Sequence, residues 1–345
     1  MTTAAIDKLC AEVAGLRSQG HRVVVVTSGA IASGLPALGL SGKRPADVAT
    51  LQAISAVGQS RLMRVYDDTL ARHGLVGGQV LLAPLDFVHR QQYTHAQQTL
   101  RRLLELGVVP IINENDAVAD DEIRFGDNDR LAALVANLVT ADVLVILTDT
   151  SGVLSADPRF DSSGSLIEEI VEVDHNVLSV AGGPGTLRTV GGMATKVLAA
   201  KIAAWSGIRV VIASAARPGV LVGAVAGEPG IGTVVRPRDQ RLPARKLWIA
   251  FAVQASGTIV VDHGARRALV ERKRSLLPAG VLDVDGRFDA DDAVEICDAD
   301  GQVFAKGLVA LSSEELRSVA KRRTSELPEG MPHEVVHRDN LVTLP

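Results

Sequence analysis

Apolar residues in the first 240 positions follow two alternating spacings. The first spacing, of three and four residues, predicts an amphipathic helix that ends at Gly20. Its apolar positions are Ile6, Leu9, Cys10, Val13 and Leu16. The run Val23–Val26 follows, and such a short β-branched run is typical of a strand buried on both faces.

The alternation of helical stretches and short apolar runs continues to about residue 213. Further predicted helices span 51–73, 93–106, 130–140 and 194–205, and further predicted strands span 79–82, 108–112, 143–147 and 209–213. Alternation of this kind indicates a mainly parallel sheet with helices on both faces. We therefore predict an α/β domain, a three-layer αβα sandwich, over residues 1–240.

A different pattern begins after Pro243. The apolar runs become short and are broken by Gly, Asp and Pro, at 258–261, 281–284, 293–296 and 302–308. This spacing predicts a small β-barrel with one or two helices over residues 254–335. The Pro- and Arg-rich stretch 236–245 is the predicted boundary.

Composition narrows the class of protein. The chain is 47% hydrophobic but only 3% aromatic, so its core is aliphatic. The sequence has no apolar run near the roughly 18 residues that cross a bilayer, so we expect no membrane segment. Its two cysteines, Cys10 and Cys297, cannot form a disulfide framework, which favours the cytoplasm. The eight histidines are scattered, and we expect no bound structural metal.

Polar or glycine-rich segments follow the predicted strands or open the predicted helices. They are Thr27–Ala30, Asn113–Asp116, Gly126–Asp129, Thr148–Asp149 and Gly191–Lys196. Each alone could be an ordinary turn or helix cap. Ligands of open α/β sheets bind beyond the carboxyl ends of the strands, so the shared position of these segments favours one binding site.

The last of these segments has the features of a phosphate site. Glycines at a helix start let backbone N–H groups approach an anion, and the helix dipole favours negative charge there. Lys196 adds a positive charge in the first turn. The chain has neither a GxxxxGK[ST] loop nor a GxGxxG fingerprint after a strand, which argues against a P-loop enzyme and a dinucleotide-binding fold.

Longer motifs carry a resemblance to a known family. In order, VVVVTSGAIASG, LQAISAVGQSRLM, VVPIINENDAV, FGDNDRLAALVA, LVILTDTSGVLSADPR and TVGGMATKVLAAKIA closely resemble the glutamate 5-kinases, which have the amino-acid kinase fold. The segment that begins SGTIVVDHGARRALVERKRSLLPAG resembles the PUA domain of bacterial members. The match runs from Ile6 to the C-terminus.

The resemblance implies roles for individual residues. Ser28, Asp116 and Asn128 match glutamate-binding positions. Asp129 matches the carboxylate that organises the catalytic lysines, and Lys196 matches one of those lysines. The positions that match ATP-binding residues are Thr148, Asp149, Val190, Gly191, Gly192, Met193, Ala194, Thr195 and Lys196.

The reaction implied is the ATP-dependent phosphorylation of the γ-carboxylate of L-glutamate, with Mg²⁺ bridging the nucleotide phosphates. A carboxylate is already a nucleophile, so this chemistry requires positioning and charge neutralisation and no Ser–His pair. The resemblance also implies a homo-oligomer and feedback inhibition by proline.

One segment of the family pattern is missing from residues 1–345. In the family, a strand ending in a Lys-x-Gly-Ser/Thr-like loop precedes the first helix. We expect the reading frame upstream of Met1 to encode this strand and its phosphate-binding lysine. A competing hypothesis is a shortened, inactive chain that acts as a regulatory homologue.

Two further hypotheses about function remain open. Kinases of acetylglutamate, aspartate or a nucleoside monophosphate share the fold, although the PUA-like tail favours the glutamate enzyme. PUA domains also occur in RNA-binding proteins. Residues 254–345 hold 12 basic and 16 acidic residues, a net charge of −4, whereas RNA-binding surfaces are usually basic, so we expect no nucleic-acid partner.

Overall fold

The computed structural model describes residues 2–40, 45, 47–87, 89–118, 128–156, 164–182, 192–239, 241–251 and 253–344. The chain divides into two compact units, Met1–Arg241 and Leu242–Pro345. None of the helices in the described part of the chain combines the length and the apolarity that crossing a bilayer requires.

The first unit alternates helices and strands. Its helices are α1 (Thr3–Ser18), α2 (Ala30–Ala37), α3 (Val48–Arg72), α4 (Arg90–Glu105), α5 (Asn128–Leu138), α6 (His175–Gly182), α7 (Met193–Trp205) and α8 (Val220–Ala226). Its strands are β1 (Val25–Val26), β2 (Gly77–Leu82), β3 (Val109–Glu114), β4 (Val143–Thr148), β5 (Glu169–Ile170), β6 (Arg209–Ser214) and β7 (Thr233–Val235). A short 3₁₀ helix spans Pro84–Phe87.

The strands of this unit form two sheets, in the orders β1-β3-β2 and β4-β6-β7-β5. Only the β6–β7 pair is antiparallel among the described strand pairs of the unit. The predicted α/β class with mainly parallel sheets is therefore confirmed. Within the described residues, β1 pairs only with β3 and β4 pairs only with β6.

Helices cover the sheets and complete the core. The strand β3 is buried at every position, as expected of a parallel strand between two neighbours. Buried residues of α1, α3, β3, β6 and α8 belong to one hydrophobic cluster. The helix α5 contacts β1, β3 and β4, and it packs against α7.

The prediction for Val23–Val26 was wrong in extent. Only Val25 and Val26 form a strand, and of the four valines only Val25 is fully buried. The physical reason is the pairing of the backbone, because among the described strands β1 pairs with β3 at Val25 and Val26, and no described ladder pairs Val23 or Val24. A β-branched run fixes the extended conformation but does not fix how many strands flank it.

The helix α1 is attached to residues some two hundred positions away. The ammonium group of Lys8 donates to the carbonyl oxygens of Ala215, at 2.5 Å, and Arg217, at 2.7 Å. The carboxylate of Glu12 accepts from the N–H of Leu221 at 2.8 Å, in the first turn of α8. These contacts hold α1 against the segment between β6 and α8.

The second unit is built mainly from antiparallel strands. It contains α9 (Ala244–Phe251), α10 (His263–Val270), α11 (Ser313–Val319), β8 (Gly257–Val261), β9 (Val281–Gly286), β10 (Ala293–Cys297), β11 (Val303–Leu308) and β12 (Leu341–Thr343). Short 3₁₀ helices span Pro278–Gly280, Thr324–Glu326 and Arg338–Asn340. The strands form one sheet, β12-β11-β10-β8-β9, in which only β8 and β10 are parallel among the described pairs.

Candidate functional site

The parallel strands β1 and β3 bring two polar loops to their carboxyl ends. Thr27 follows β1, and its N–H donates to the carbonyl oxygen of Ile112 in β3 at 2.9 Å. The N–H of Asn115 donates to the carbonyl oxygen of Leu82, the last residue of β2, at 2.8 Å. The loop after β1 and the turn after β3 therefore lie at one end of the same sheet.

The start of α7 holds a close pair of oppositely charged groups. The ammonium of Lys196 lies 2.8 Å from Oδ2 of Asp129, which is in the first turn of α5. Both side chains are mostly buried, with 16% and 18% of their surfaces exposed. The packing of α5 against α7 produces this pair, although the two residues are 67 positions apart.

Thr195 extends this arrangement. Its hydroxyl donates to the carbonyl oxygen of Gly192 at 2.7 Å and lies 3.4 Å from Oδ2 of Asp129. Gly192 is the extended N-cap of α7, and no side chain in the described residues caps this helix end. The N–H groups of the first turn have no acceptor within the helix, and such groups suit an anion.

Thr148 and Asp149 lie at the end of β4 in the other sheet. Thr148 is buried, and its carbonyl oxygen accepts from the N–H of Ala215 at 2.7 Å, at the adjacent end of β6. Its hydroxyl lies 3.1 Å from Oδ1 of Asp149, whose side chain is exposed.

The loop after β1 presents Ser28 to solvent. Gly29 has a φ of +109° and is the N-cap of α2, a conformation that glycine adopts without strain. The hydroxyl of Thr27 lies 2.8 Å from that of Tyr66 in α3. Burial raises the pKa of Tyr66 to about 12, so this phenol is neutral at physiological pH and can donate.

The turn after β3 holds Asp116. Its Oδ2 accepts from the hydroxyl of Ser55, a buried residue of α3, at 2.5 Å. Asn128 begins α5, and its Oδ1 is buried with no hydrogen-bond partner among the described residues. A buried amide oxygen without a protein partner is a candidate acceptor for a ligand.

The structure thus joins some of the predicted site residues directly. It links Asp129, Thr195 and Lys196, and it links Thr148 to Asp149. Met193 and Ala194 lie in the first turn of α7. Val190 and Gly191 lie outside the described residues, as do Gly126 and Asp127. Within the described ranges, no group of three His, Cys, Asp or Glu side chains is placed to bind a metal ion.

Sequence reasoning missed two residues that contact this site, Ser55 and Tyr66. Both lie on α3, eleven positions apart, which places them on the same face of a helix. The available signal was a set of polar residues (Ser55, Gln59 and Tyr66) at helical spacing among apolar ones. Polar side chains of this kind are buried only where other polar groups form hydrogen bonds with them. The sequence does not show which groups those are.

Comparisons with known proteins agree with this architecture. Residues 1–214 match the amino acid kinase family, and residues 257–331 match the PUA domain. The chain belongs to the amino acid kinase family.

The curated relatives are more specific. The chain is 45% identical to the glutamate 5-kinase of Syntrophotalea carbinolica, over 98% of this chain and 91% of that protein. It is 47% identical to the glutamate 5-kinase of Myxococcus xanthus, over 95% of this chain and 87% of that protein. Among solved structures, an isopentenyl phosphate kinase of T. acidophilum is 22% identical with a TM-score of 0.46, over 68% of this chain and 91% of that one. The resemblance to glutamate 5-kinases is thus confirmed.

Proposed function

We propose that the chain transfers the terminal phosphoryl group of ATP to the γ-carboxylate of L-glutamate, giving γ-glutamyl phosphate and ADP as the first step of proline biosynthesis. The observation that carries this proposal is the contact between Lys196 and Asp129 at the glycine-led start of α7. The name shared by the curated relatives supports the choice of glutamate.

The nucleotide side of the site comprises Thr148, Asp149, Asp129 and the first turn of α7 from Gly192 to Lys196. The uncapped N–H groups of α7 suit the phosphates of ATP, and the helix dipole adds positive potential. Lys196 would neutralise charge that spreads over the transferred phosphoryl oxygens, while Asp129 fixes the position of the ammonium group.

Mg²⁺ accompanies ATP in this proposal and supplies charge neutralisation to its phosphates. Magnesium sites of kinases use one or two carboxylates together with substrate phosphates and water. The exposed carboxylate of Asp149 beside Thr148 fits such a set. We assign no further protein ligands to Mg²⁺, because the described residues contain no group of three His, Cys, Asp or Glu side chains placed to bind a metal ion.

The amino-acid side comprises Ser28, Asp116 and Asn128. The Asp116 carboxylate and the buried Oδ1 of Asn128 are acceptors that suit the α-ammonium group of glutamate. The Ser28 hydroxyl and the backbone N–H groups of its loop are donors that suit a carboxylate. The substrate carboxylate is itself the nucleophile, so positioning and charge account for the catalysis.

The remaining assignments follow the family. We propose that proline is a feedback inhibitor, that the enzyme is a homo-oligomer and that it works in the cytoplasm. Cys10 and Cys297 are both buried and free, which suits a reducing compartment.

A substrate panel tests the proposed reaction. The chain is incubated with MgATP and, separately, L-glutamate, N-acetylglutamate, L-aspartate or uridine monophosphate, and ADP release is measured. For the carboxylate substrates, hydroxylamine traps an acyl phosphate as a hydroxamate. We expect ADP and hydroxamate with glutamate alone. Comparable turnover with another member of the panel, and none with glutamate, would replace this proposal.

A further inference from the structure

The helix α3 contacts the two polar segments that form the amino-acid side of the site, which are the loop after β1 and the turn after β3. Its N-terminal half approaches α2 so closely that a side-chain carbon at Gly58 would collide with the carbonyl oxygen of Ala30. Ala30 directly follows the Ser28–Gly29 turn and begins α2, so α3 packs against the residue that ends this turn. The packing of α3 on α2 therefore supports the loop after β1.

The same helix reaches the turn after β3 through a hydrogen bond from Ser55. The hydroxyl of Ser55 donates to Oδ2 of Asp116 at 2.5 Å, and 1% of the Ser55 surface is exposed. The buried hydroxyl of Ser55 has little access to water, so Asp116 is its main hydrogen-bond acceptor. A bond from a neutral donor to a carboxylate is stronger than one between neutral groups.

From this geometry we infer that Ser55 is a positioning residue for the glutamate site. It occupies one oxygen of Asp116 and fixes the rotation of the carboxylate, so that the other oxygen faces the α-ammonium of the substrate. Ser55 itself does not touch the substrate. This inference rests on the proposed function, because it requires Asp116 to bind the amino acid.

The reason for such a residue lies in the location of Asp116. Asp116 lies two residues beyond the last residue of β3, in a turn and not in the strand. A carboxylate there can rotate among several orientations, and a substrate must restrict that rotation when it binds. The bond from the buried hydroxyl of Ser55 restricts this rotation before the substrate arrives.

The test is a double-mutant cycle with Ser55→Ala and Asp116→Ala, measured as the KM for glutamate at saturating ATP. We expect Ser55→Ala to raise this KM roughly tenfold, as for a lost hydrogen bond to a charged group, with the KM for ATP unchanged. In the Asp116→Ala background, Ser55→Ala should change the KM no further, because the group that Ser55 orients is absent. Ser60→Ala is the matched control, since Ser60 is an exposed serine of the same helix whose hydroxyl donates to the carbonyl oxygen of Val57.

The possible results of this cycle distinguish the proposed role of Asp116 from the proposed role of Ser55. If Asp116→Ala leaves the KM for glutamate unchanged, the proposed role of Asp116 fails. If Asp116→Ala raises it and Ser55→Ala does not, or if the two effects simply multiply, the inference about Ser55 fails. Thermal unfolding of Ser55→Ala separates positioning from folding: a raised KM in a variant with an unchanged melting temperature supports positioning, whereas a loss of both substrate affinities together with stability contradicts it.

Discussion

The two sides of the candidate site are held in place by different means. On the nucleotide side, the site residues contact one another: Lys196 meets Asp129, and Thr195 lies against both Gly192 and Asp129. On the amino-acid side, Asp116 and the loop after β1 are each hydrogen-bonded to α3, through Ser55 and Tyr66.

This difference indicates how each side should respond to substitution. On the nucleotide side, charged residues contact one another directly, so the removal of one residue should strongly reduce turnover. A side supported from a neighbouring helix loses affinity and order in smaller steps, because each support can be removed while the substrate-binding groups remain. Substitutions on the two sides should therefore differ in size, from a large loss of turnover to a small change in stability.

The largest effect is expected for Lys196→Ala. Loss of one charge contact to the transferred phosphoryl group should cost about 3 kcal/mol, or roughly a hundredfold in kcat, with little change in the KM for glutamate. Steady-state kinetics measure both parameters. Lys201→Ala on the same helix is the control, since Lys201 lies 5.6 Å from the centre of the Trp205 ring and not at the helix start. A nearly normal kcat for Lys196→Ala would remove this lysine from the mechanism.

Asp116→Ala should affect binding of one substrate only. Removal of a charged partner of the α-ammonium group should weaken the binding free energy of glutamate by about 2 kcal/mol, which raises the KM for glutamate roughly thirtyfold. The KM for ATP should stay unchanged. Asp142→Ala, which removes an exposed carboxylate before β4, serves as the control. A change in ATP affinity with normal glutamate affinity would mean that the two sides have been assigned in reverse.

Tyr66→Phe should have a modest effect on stability that depends on pH. The lost hydrogen bond to Thr27 should cost about 1 kcal/mol near neutral pH. Burial raises the pKa of Tyr66 to about 12, above the value near 10 of an exposed tyrosine. The unfolded chain therefore releases this proton first, so the stability contribution is complete below pH about 10 and is lost as the pH rises toward 12.

Denaturant unfolding at neutral and alkaline pH measures this effect, and the variant should show a shallower alkaline loss than the parent. Because the chain has two tyrosines, Tyr93→Phe leaves Tyr66 as the only phenol. Its ultraviolet titration then reports the pKa directly. Titration at the ordinary value would contradict the buried environment.

The smallest effect is expected from removal of the second unit. A chain that ends at Arg241 retains every residue assigned to either side of the site, and it should keep most of its turnover with glutamate and ATP. Kinetics of the shortened and full chains, with and without proline, make the comparison. A folded but inactive shortened chain would show that residues after Arg241 take part in the reaction.

The local spacing of apolar residues was sufficient to predict most helices and strands of the first unit. The predicted helices and strands between residues 51 and 213 are present, with ends shifted by a few residues, because their apolar spacing matches their burial. Val23–Val26 was the exception, since strand length depends on neighbours that a short run does not specify. The short helix α2, with Pro36 inside it, gave no clear periodic signal.

The candidate site was predictable only in part. Loops at strand ends could be read from the sequence, because parallel strands bring their carboxyl ends to one edge. The family resemblance predicted that Asp129 and Lys196 act together, but the residue pattern alone did not, because their contact depends on the packing of α5 on α7. The bond from Ser55 to Asp116 depends on the placement of α3, and neither the pattern nor the resemblance predicted it. Contacts between distant residues depend on tertiary packing, and one sequence does not supply it.

The attachment of α1 has a consequence for biosynthesis. Its partners Ala215, Arg217 and Leu221 lie about two hundred residues further along the chain. At ribosomal speeds of about 5–20 residues per second, α1 emerges roughly 10–40 seconds before these residues exist. During that interval its apolar face, with Ile6, Cys10 and Val13, lacks part of the core that later covers it. A helix that is made early is therefore completed late, and its apolar face is exposed to aggregation in the nascent chain during that interval.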